Sequence, residues 1–227
     1  MYRLGCALCV LLCVTVFGHE VQKREDNAEV LIDEFIYETV QDLKKNHEEQ
    51  ISIPDIDETF EKKVLFVKVK GELTGTGGWI KDLTTLKRTA PSQLVEKDDT
   101  IAVGVTLGLN DLEFGFKEYR AEVYHFGIHG TMHVSVEQNS VYVHMTMKFD
   151  DKGGCKTTLD KVEIQKLDGY HADMTGLGRN ANFIYSFVAT FLANKYHQHI
   201  ESSLSNKLTP VISAALAKND ICKQFPH

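Results

Sequence analysis

The sequence predicts an α+β fold in which a curved antiparallel β-sheet wraps around a long C-terminal amphipathic helix, with a second helix near the N-terminus. Two patterns carry this prediction. Apolar residues alternate with polar ones through the middle of the chain, which is typical of half-buried strands, and a row of apolar residues recurs every four positions in the last third. The 227 residues contain no Pro/Ser-rich linker. Residues 19–227 are therefore predicted to form one domain.

Residues 1–18 have the pattern of a secretory signal peptide. A single positive charge at Arg3 precedes an apolar run, and the small residue Gly18 precedes His19. The run is too short to span a membrane, so we expect a secreted, extracellular protein cleaved near Gly18. The formal net charge of −7 disfavours nucleic acid as a partner, and it also disfavours nonspecific adhesion to anionic membranes.

The first element of the mature chain is predicted to be an amphipathic helix from Ala28 to His47. Its apolar residues recur at helical spacing, with acidic residues early and lysines late, which is the order that the helix dipole favours. Pro54 follows a break in this pattern and precedes the strands. The apolar stripe comprises Leu31, Phe35, Ile36, Val40 and Leu43.

The strand region changes the phase of its alternation at one point. Residues 101–109 are apolar at odd positions, whereas residues 112–116 are apolar at even positions. A bulge or bend at Asn110-Asp111 is therefore predicted. Further along, residues 126–136 and 141–149 are predicted to form a hairpin with Gln138-Asn139 in its turn, because pairing Val136 with Val141 places both apolar sets on one face.

The apolar row of the last third includes Ile184, Val188, Leu192, Tyr196, Ile200, Leu204, Leu208, Ile212 and Leu216. Each step of four residues turns the row by about 40° around an α-helix, so a long row winds around the axis. A continuous helix over 183–218, about 54 Å long, would need apolar partners on several sides, as a curved sheet provides. Two shorter helices with a joint near Lys195 to His199 are the alternative, and Pro210 is a second point where the helix would kink.

Two cysteines, Cys155 and Cys222, remain after removal of the signal peptide. Since disulfides persist outside the cell, we predict that these two residues form one. The bond would join the C-terminal tail to the strand region.

Four short segments lie in a characteristic order between the predicted N-terminal and C-terminal helices: Thr59-Phe60-Glu61-Lys62, Lys70-Gly71-Glu72-Leu73, Asp82-Leu83 through Leu86-Lys87-Arg88, and Leu107-Gly108-Leu109-Asn110-Asp111-Leu112. Through this order and spacing, the chain resembles the group 7 mite allergens, and the resemblance covers nearly the whole mature chain. It implies a curved sheet around long helices, like one half of bactericidal/permeability-increasing protein and of lipopolysaccharide-binding protein, with the takeout proteins as more distant relatives. It also implies a secreted allergen that binds lipids or other apolar molecules and has no catalytic residues.

A hydrophobic ligand is therefore expected between the sheet and the C-terminal helix, and its class would be a lipid, fatty acid, terpenoid or bacterial lipid-like amphiphile. Methionine suits a site that adapts to flexible acyl chains. Each predicted ligand-binding side chain, taken alone, is more often a core residue, so the prediction rests on these residues as a group. The predicted ligand-binding residues are Phe114, Phe116, Met132, Val134, Val143, Met145, Met147, Phe183, Phe187 and Phe191.

An alternative function and a metal-site hypothesis also stay open. In the alternative function, the core is filled, and the protein recognises a receptor or makes transient contact with a membrane through an exposed apolar tip. His133 would lie opposite His144 in the predicted hairpin, where two imidazoles could share Zn²⁺ or Cu²⁺, although solvated surface histidines are the commoner outcome. No cofactor is predicted, the oligomeric state stays open, and the absence of nucleophile-elbow, zinc-protease and phosphate-loop motifs predicts that the protein is not an enzyme.

Overall fold

In a computed structural model of the chain, residues 28–64, 67–123, 126–176, 182–219 and 221–224 are described. Helix α1 comprises residues 28–45. The strands are β1 (Ile51–Ser52), β2 (Ile56–Val64), β3 (Val67–Lys81), β4 (Leu86–Arg88), β5 (Gln93–Lys97), β6 (Thr100–Leu109), β7 (Glu113–Val123), β8 (Phe126–Phe149) and β9 (Cys155–Met174). The C-terminal elements are α2 (Asn182–Phe191), a π-helical turn (Leu192–Tyr196), α3 (His197–Lys218) and α4 (Ile221–Gln224). The predicted signal peptide lies outside the described residues.

The strands form one antiparallel sheet centred on β8. One edge of β8 pairs first with β7 and then with β6, and its other edge pairs with β9 along nearly its whole length. Strand β3 extends the sheet beyond β7 and also pairs with β1 and β2, while β4 and β5 flank β6. The predicted α+β fold, a curved antiparallel sheet with a long C-terminal helix and an N-terminal helix, is confirmed.

Strands β6 and β7 lie end to end along β8, separated by a turn at Asn110 and Asp111. The buried apolar side chains of β6 occupy odd positions up to Leu109, and those from Leu112 to Phe116 occupy even positions. Because a strand alternates its faces with period two, the chain must re-aim its side chains at this turn. The bend predicted from the phase change is therefore confirmed.

The predicted hairpin turn at Gln138-Asn139 is wrong, because β8 is one continuous strand through these residues. Its buried residues switch from even positions, ending at Val136, to odd positions, starting at Val141. The switch is compatible with two strands, but β8 changes its buried face without turning back. The change lies beside the Asn110-Asp111 bend between the neighbouring strands β6 and β7. Neither Gln138 nor Asn139 has the positive φ that a tight two-residue hairpin turn requires.

Asn139 lies where β8 changes its buried face, and its side chain hydrogen-bonds to the backbone of the neighbouring strand β6. Its Oδ1 accepts the Leu109 N–H at 2.7 Å, and its Nδ2 donates to the Leu109 carbonyl at 2.7 Å. Asn139→Asp keeps an acceptor but places a carboxylate oxygen against that carbonyl. We expect the free energy of unfolding to fall by about 1–3 kcal/mol in urea denaturation. Ser140→Ala is the neighbouring control, and an unchanged value for Asn139→Asp would contradict the bridging role.

The C-terminal elements form one helical rod from residue 182 to residue 218. Every member of the apolar row from Val188 to Leu216 is buried, whereas the side chain of Ile184 lies outside the described residues. The backbone stays helical near the predicted joint, but five residues there form a π turn. A π turn takes more residues per turn than an α turn and so reverses part of the winding of the row. Pro210 lies inside α3 without ending it.

The rod packs against β9, and Ser205 Oγ donates to the Val162 carbonyl at 3.2 Å. The predicted Cys155–Cys222 disulfide is confirmed, with 5.7 Å between its Cα atoms. It fixes α4 to the first residue of β9. Within the described ranges, no helix combines the length and apolar character needed to cross a membrane.

Candidate ligand-binding interior

The predicted ligand-binding residues of the sheet all face the interior, and each is at most 3% exposed. The bend at Asn110-Asp111 divides them into two groups. The first group lies on β7 and the first half of β8, and the second lies on the second half of β8. The first group is Phe114, Phe116, Met132 and Val134, and the second is Val143, Met145 and Met147.

The first group packs against aromatic rings of the π turn and β9. The Phe116 and Tyr196 rings meet edge to face at 5.6 Å, and Phe191 lies 6.2 Å from Tyr196. Phe114 meets Tyr170 edge to face at 6.1 Å. These contacts fill the space beside the rod with paired rings. The side chains of Phe183 and Phe187, also predicted to bind ligand, lie outside the described residues.

Both tyrosines of this aromatic cluster hold their protons firmly. The Tyr196 hydroxyl donates to the Pro54 carbonyl, and burial, with a smaller contribution from Asp55, raises the pKa of Tyr196. Burial also raises the pKa of Tyr170 to about 12, with smaller contributions from Glu201 and Asp168. Both side chains therefore stay neutral at physiological pH and add no charge to the interior.

Two members of the second group, Val143 and Met145, border a gap between α1 and the sheet. Val143 and Met145 form part of its sheet side, and the Thr39 hydroxyl, on the α1 side, donates to the Phe35 carbonyl at 2.8 Å, so it adds no unpaired polar group. The cavity has a volume of about 20 Å³, which is room for roughly one water molecule. The lining residues are Ile32, Phe35, Ile36, Thr39, Leu86, Val105, Leu107, Val143, Met145 and Ile212.

Charged contacts fix α1 over this gap at both of its ends. Arg88 on β4 donates to both carboxylate oxygens of Asp33, each at 2.7 Å, and to Glu29 at 2.9 Å. Near the other end, the Lys218 amine lies 3.0 Å from Asp42. A bidentate guanidinium–carboxylate pair is geometrically specific, so the Arg88 contact sets the position of the first turns of α1.

The histidine hypothesis is wrong in its geometry. His133 and His144 lie on the same continuous strand, so they cannot face each other across a hairpin. Each instead pairs with a carboxylate on a neighbouring strand: His133 with Glu113 at 2.9 Å, and His144 with Asp160 at 3.0 Å. Among the described residues, no group of three or more metal-ligating side chains converges.

Glu113 is a carboxylate shared by two basic side chains, Lys81 and His133. Burial would raise its pKa, but hydrogen bonds from Lys81 and His133 outweigh burial, and the pKa is lowered. A lowered pKa in the folded state stabilises the fold above the unfolded pKa, and this stability is lost as the pH falls through the folded pKa.

We therefore expect Glu113→Gln to lower the free energy of unfolding by about 1 kcal/mol at pH 7, and the deficit to be lost as the pH falls through the lowered pKa of Glu113. Urea denaturation at pH 7 and pH 3 measures both values. Glu58→Gln, at an exposed position on β2, is the matched control. A deficit of the same size at both pH values would mean that packing, and not charge, makes Glu113 important.

Helix α1 contributes side chains to the gap that were not among the predicted ligand-binding residues. Ile32, Phe35 and Ile36 face Val143 and Met145 across it. The apolar stripe of this helix was evident, but an amphipathic pattern indicates only that a face is buried and not which element covers it. Leu107 and Ile212, from β6 and α3, complete the enclosure for the same nonlocal reason.

By its fold, the chain belongs to the class of proteins in which one antiparallel sheet packs on a long helical rod. An N-terminal helix covers the apolar interior. Residues 27–216 match the group 7 allergen family, and the chain therefore belongs to it. Mite allergen Der p 7 of Dermatophagoides pteronyssinus is 19% identical over 190 residues, which are 83% of this chain and 86% of that protein.

Two solved structures are also similar to the chain. The crystal structure of lipopolysaccharide binding protein matches with a TM-score of 0.39 and 14% identity over 82% of this chain, which spans 38% of that protein. Takeout 1 of Epiphyas postvittana matches with a TM-score of 0.31 and 16% identity, over 77% of this chain and 78% of that protein.

Proposed function

We propose that the protein is a secreted binder of hydrophobic or amphiphilic molecules, such as fatty acids, and that the ligand occupies the gap between α1 and the sheet. The gap is the observation that carries this proposal: its lining is apolar except for one hydroxyl that is already hydrogen-bonded. Burial of an acyl chain there would contribute about 25 cal/mol per Å² before ordering costs. Apart from the paired Thr39 hydroxyl, the described residues that line the gap are apolar, so the proposed activity is binding.

The closed volume of about 20 Å³ means that a ligand has to displace side chains or α1. Two features favour such an expansion. Met145 is unbranched and can adopt other rotamers around an acyl chain. The ends of α1 are fixed by Arg88 and Lys218, whose contacts with acidic side chains can separate and re-form in water. Ligand binding would therefore move α1 outward from the sheet.

Oleate binding to three single-residue variants, compared with the wild type, tests the site. Met145→Trp fills the gap and should weaken oleate binding by about tenfold or more. Met145→Ala enlarges the gap, so it should bind oleate at least as tightly, while its free energy of unfolding falls by about 2–3 kcal/mol. Val95→Trp adds the same ring at an exposed position on β5 and should bind as the wild type does. Isothermal titration calorimetry measures binding, and thermal unfolding confirms that each variant is folded.

The same small volume favours a second candidate function, in which the interior stays filled and the protein recognises a receptor or a membrane through its surface. Among the described residues, the large exposed apolar side chains are Val30 and Tyr37 on α1 and Val95 on β5. Equal oleate binding by the wild type and by Met145→Trp would place the ligand elsewhere and favour this second candidate.

A further inference from the structure

We propose that the outer face of β3, β7 and β8 carries a second binding site, and that its ligand is a neutral oligosaccharide. This site lies on the opposite face of the sheet from the interior and does not depend on the function proposed for that interior. An open groove of about 640 Å³ crosses the three strands. Its lining residues are Thr74, Thr76, Lys117, Glu118, Tyr119, Arg120, His129, Gly130 and Thr131.

A β-bulge opens the groove. The register between β7 and β8 shifts between Phe116 and Tyr119, so that Lys117 and Glu118 together oppose the single residue Thr131. A bulge bends its strand and re-aims its side chains. The Thr131 N–H donates a hydrogen bond to Thr175 Oγ1 at 2.8 Å. This bond joins the β8 backbone beside the bulge to the residue that follows β9. The groove is therefore built into the strand register.

The lining suits hydroxyl groups better than it suits an anion. Lys117 and Arg120 are able to donate hydrogen bonds, and Glu118 is able to accept them. The threonine hydroxyls are able to donate and to accept, as sugar hydroxyls are. Glu118 offsets one of the two cations, and Arg120 Nη2 already lies 2.9 Å from Glu122. Because little unpaired positive charge remains, a phosphate or sulfate gains little here, whereas a polyhydroxylated ligand finds both donors and acceptors.

An aromatic platform continues the groove along the same face. Trp79 pairs with Gly115, and Gly115 pairs with His133, so these residues form the next cross-strand row after Lys117 and Thr131. The indole lies over Gly115, where a Cβ would be 2.7 Å from a ring carbon. It stacks on His133 with ring centroids 5.8 Å apart and an interplanar angle of 27°. Flat rings beside hydrogen-bonding groups can hold the apolar C–H face of a sugar while its hydroxyls are paired.

Charged side chains lie over and beside this platform. Glu113 pairs with His133 and with Lys81, and the Lys81 amine lies 5.6 Å from the Trp79 ring centroid. The platform row and the groove rows are about 7 Å apart along the strands, since they are two residues apart. One sugar could therefore lie beside Trp79 while the next residues of the same oligosaccharide enter the groove.

Trp79 is the only tryptophan of the chain, so its fluorescence reports on this site alone. The probes are maltotetraose, cellotetraose and tetra-N-acetylchitotetraose. We expect at least one of them to change the emission saturably with a Kd of about 1 mM or lower. Saturation-transfer NMR with the same sugars provides a readout that does not depend on Trp79. The double variant Glu118→Ala, Arg120→Ala should bind about tenfold or more weakly.

Lys156→Ala, at an exposed position on β9, is the matched control and should bind as the wild type does. The proposal is overturned if none of the three sugars binds at about 20 mM in either readout. It is also overturned if the double variant binds as tightly as the wild type. A larger response to inorganic phosphate than to any sugar would assign the groove to an anion and would overturn it as well.

Discussion

Replacement of Leu204 with alanine is expected to lower the free energy of unfolding by about 3–5 kcal/mol, which is the upper part of the range for a buried leucine. Leu204 lies in the middle of the buried row of α3, and its side chain is fully buried. Its neighbours in the row, Ile200 and Leu208, are also fully buried, so the surroundings have little freedom to collapse into the cavity. The buried row faces the interior, so a void at this position removes the contacts of a fully buried side chain.

Urea denaturation followed by circular dichroism measures this loss. Ser202→Ala is the matched control on the exposed side of the same helix, and its effect should stay within about 0.5 kcal/mol. A loss below about 1 kcal/mol for Leu204→Ala would mean that the buried row of α3 is not tightly packed.

Removal of the disulfide is expected to cost about 4 kcal/mol. Cys155 and Cys222 are 67 residues apart in sequence, and the loop-entropy account gives roughly this value for a loop of that length. The loop contains β9 and the entire helical rod. Without the bond, the unfolded chain gains conformational freedom, and α4 loses its covalent link to β9.

The double variant Cys155→Ala, Cys222→Ala tests this expectation by thermal and urea unfolding. Reduced wild-type protein is the control, because it lacks the bond but keeps both side chains. The two samples should lose similar stability. Equal stability of oxidised and reduced protein would contradict a structural role for the disulfide.

The sequence predicted the features that depend on local periodicity. The α1 stripe, the row of the rod and the phase change at Asn110-Asp111 all follow from the spacing of apolar residues, and the structure contains each of them. The π turn was not predictable in the same way. A row with a spacing of four residues looks the same whether the helix stays regular or takes one wide turn.

Features that depend on which strands meet were harder to predict. The phase change after Val136 fits two arrangements, a hairpin or one strand that re-aims its side chains, and only the pairing of β8 with β9 distinguishes them. The metal hypothesis was wrong for the same reason, since it depended on the register of that hairpin. The groove near Lys117 requires β3, β7 and β8 to be side by side, and no local pattern indicates this.

Native mass spectrometry of the protein secreted from a eukaryotic host, followed by organic extraction, tests the central claim most directly. The account predicts one apolar or amphiphilic molecule bound per chain, which is released by extraction and is absent from Met145→Trp prepared in the same way. Val95→Trp should retain it. A bare polypeptide mass in several gentle preparations, together with no uptake of added oleate, would contradict a hydrophobic-ligand binder.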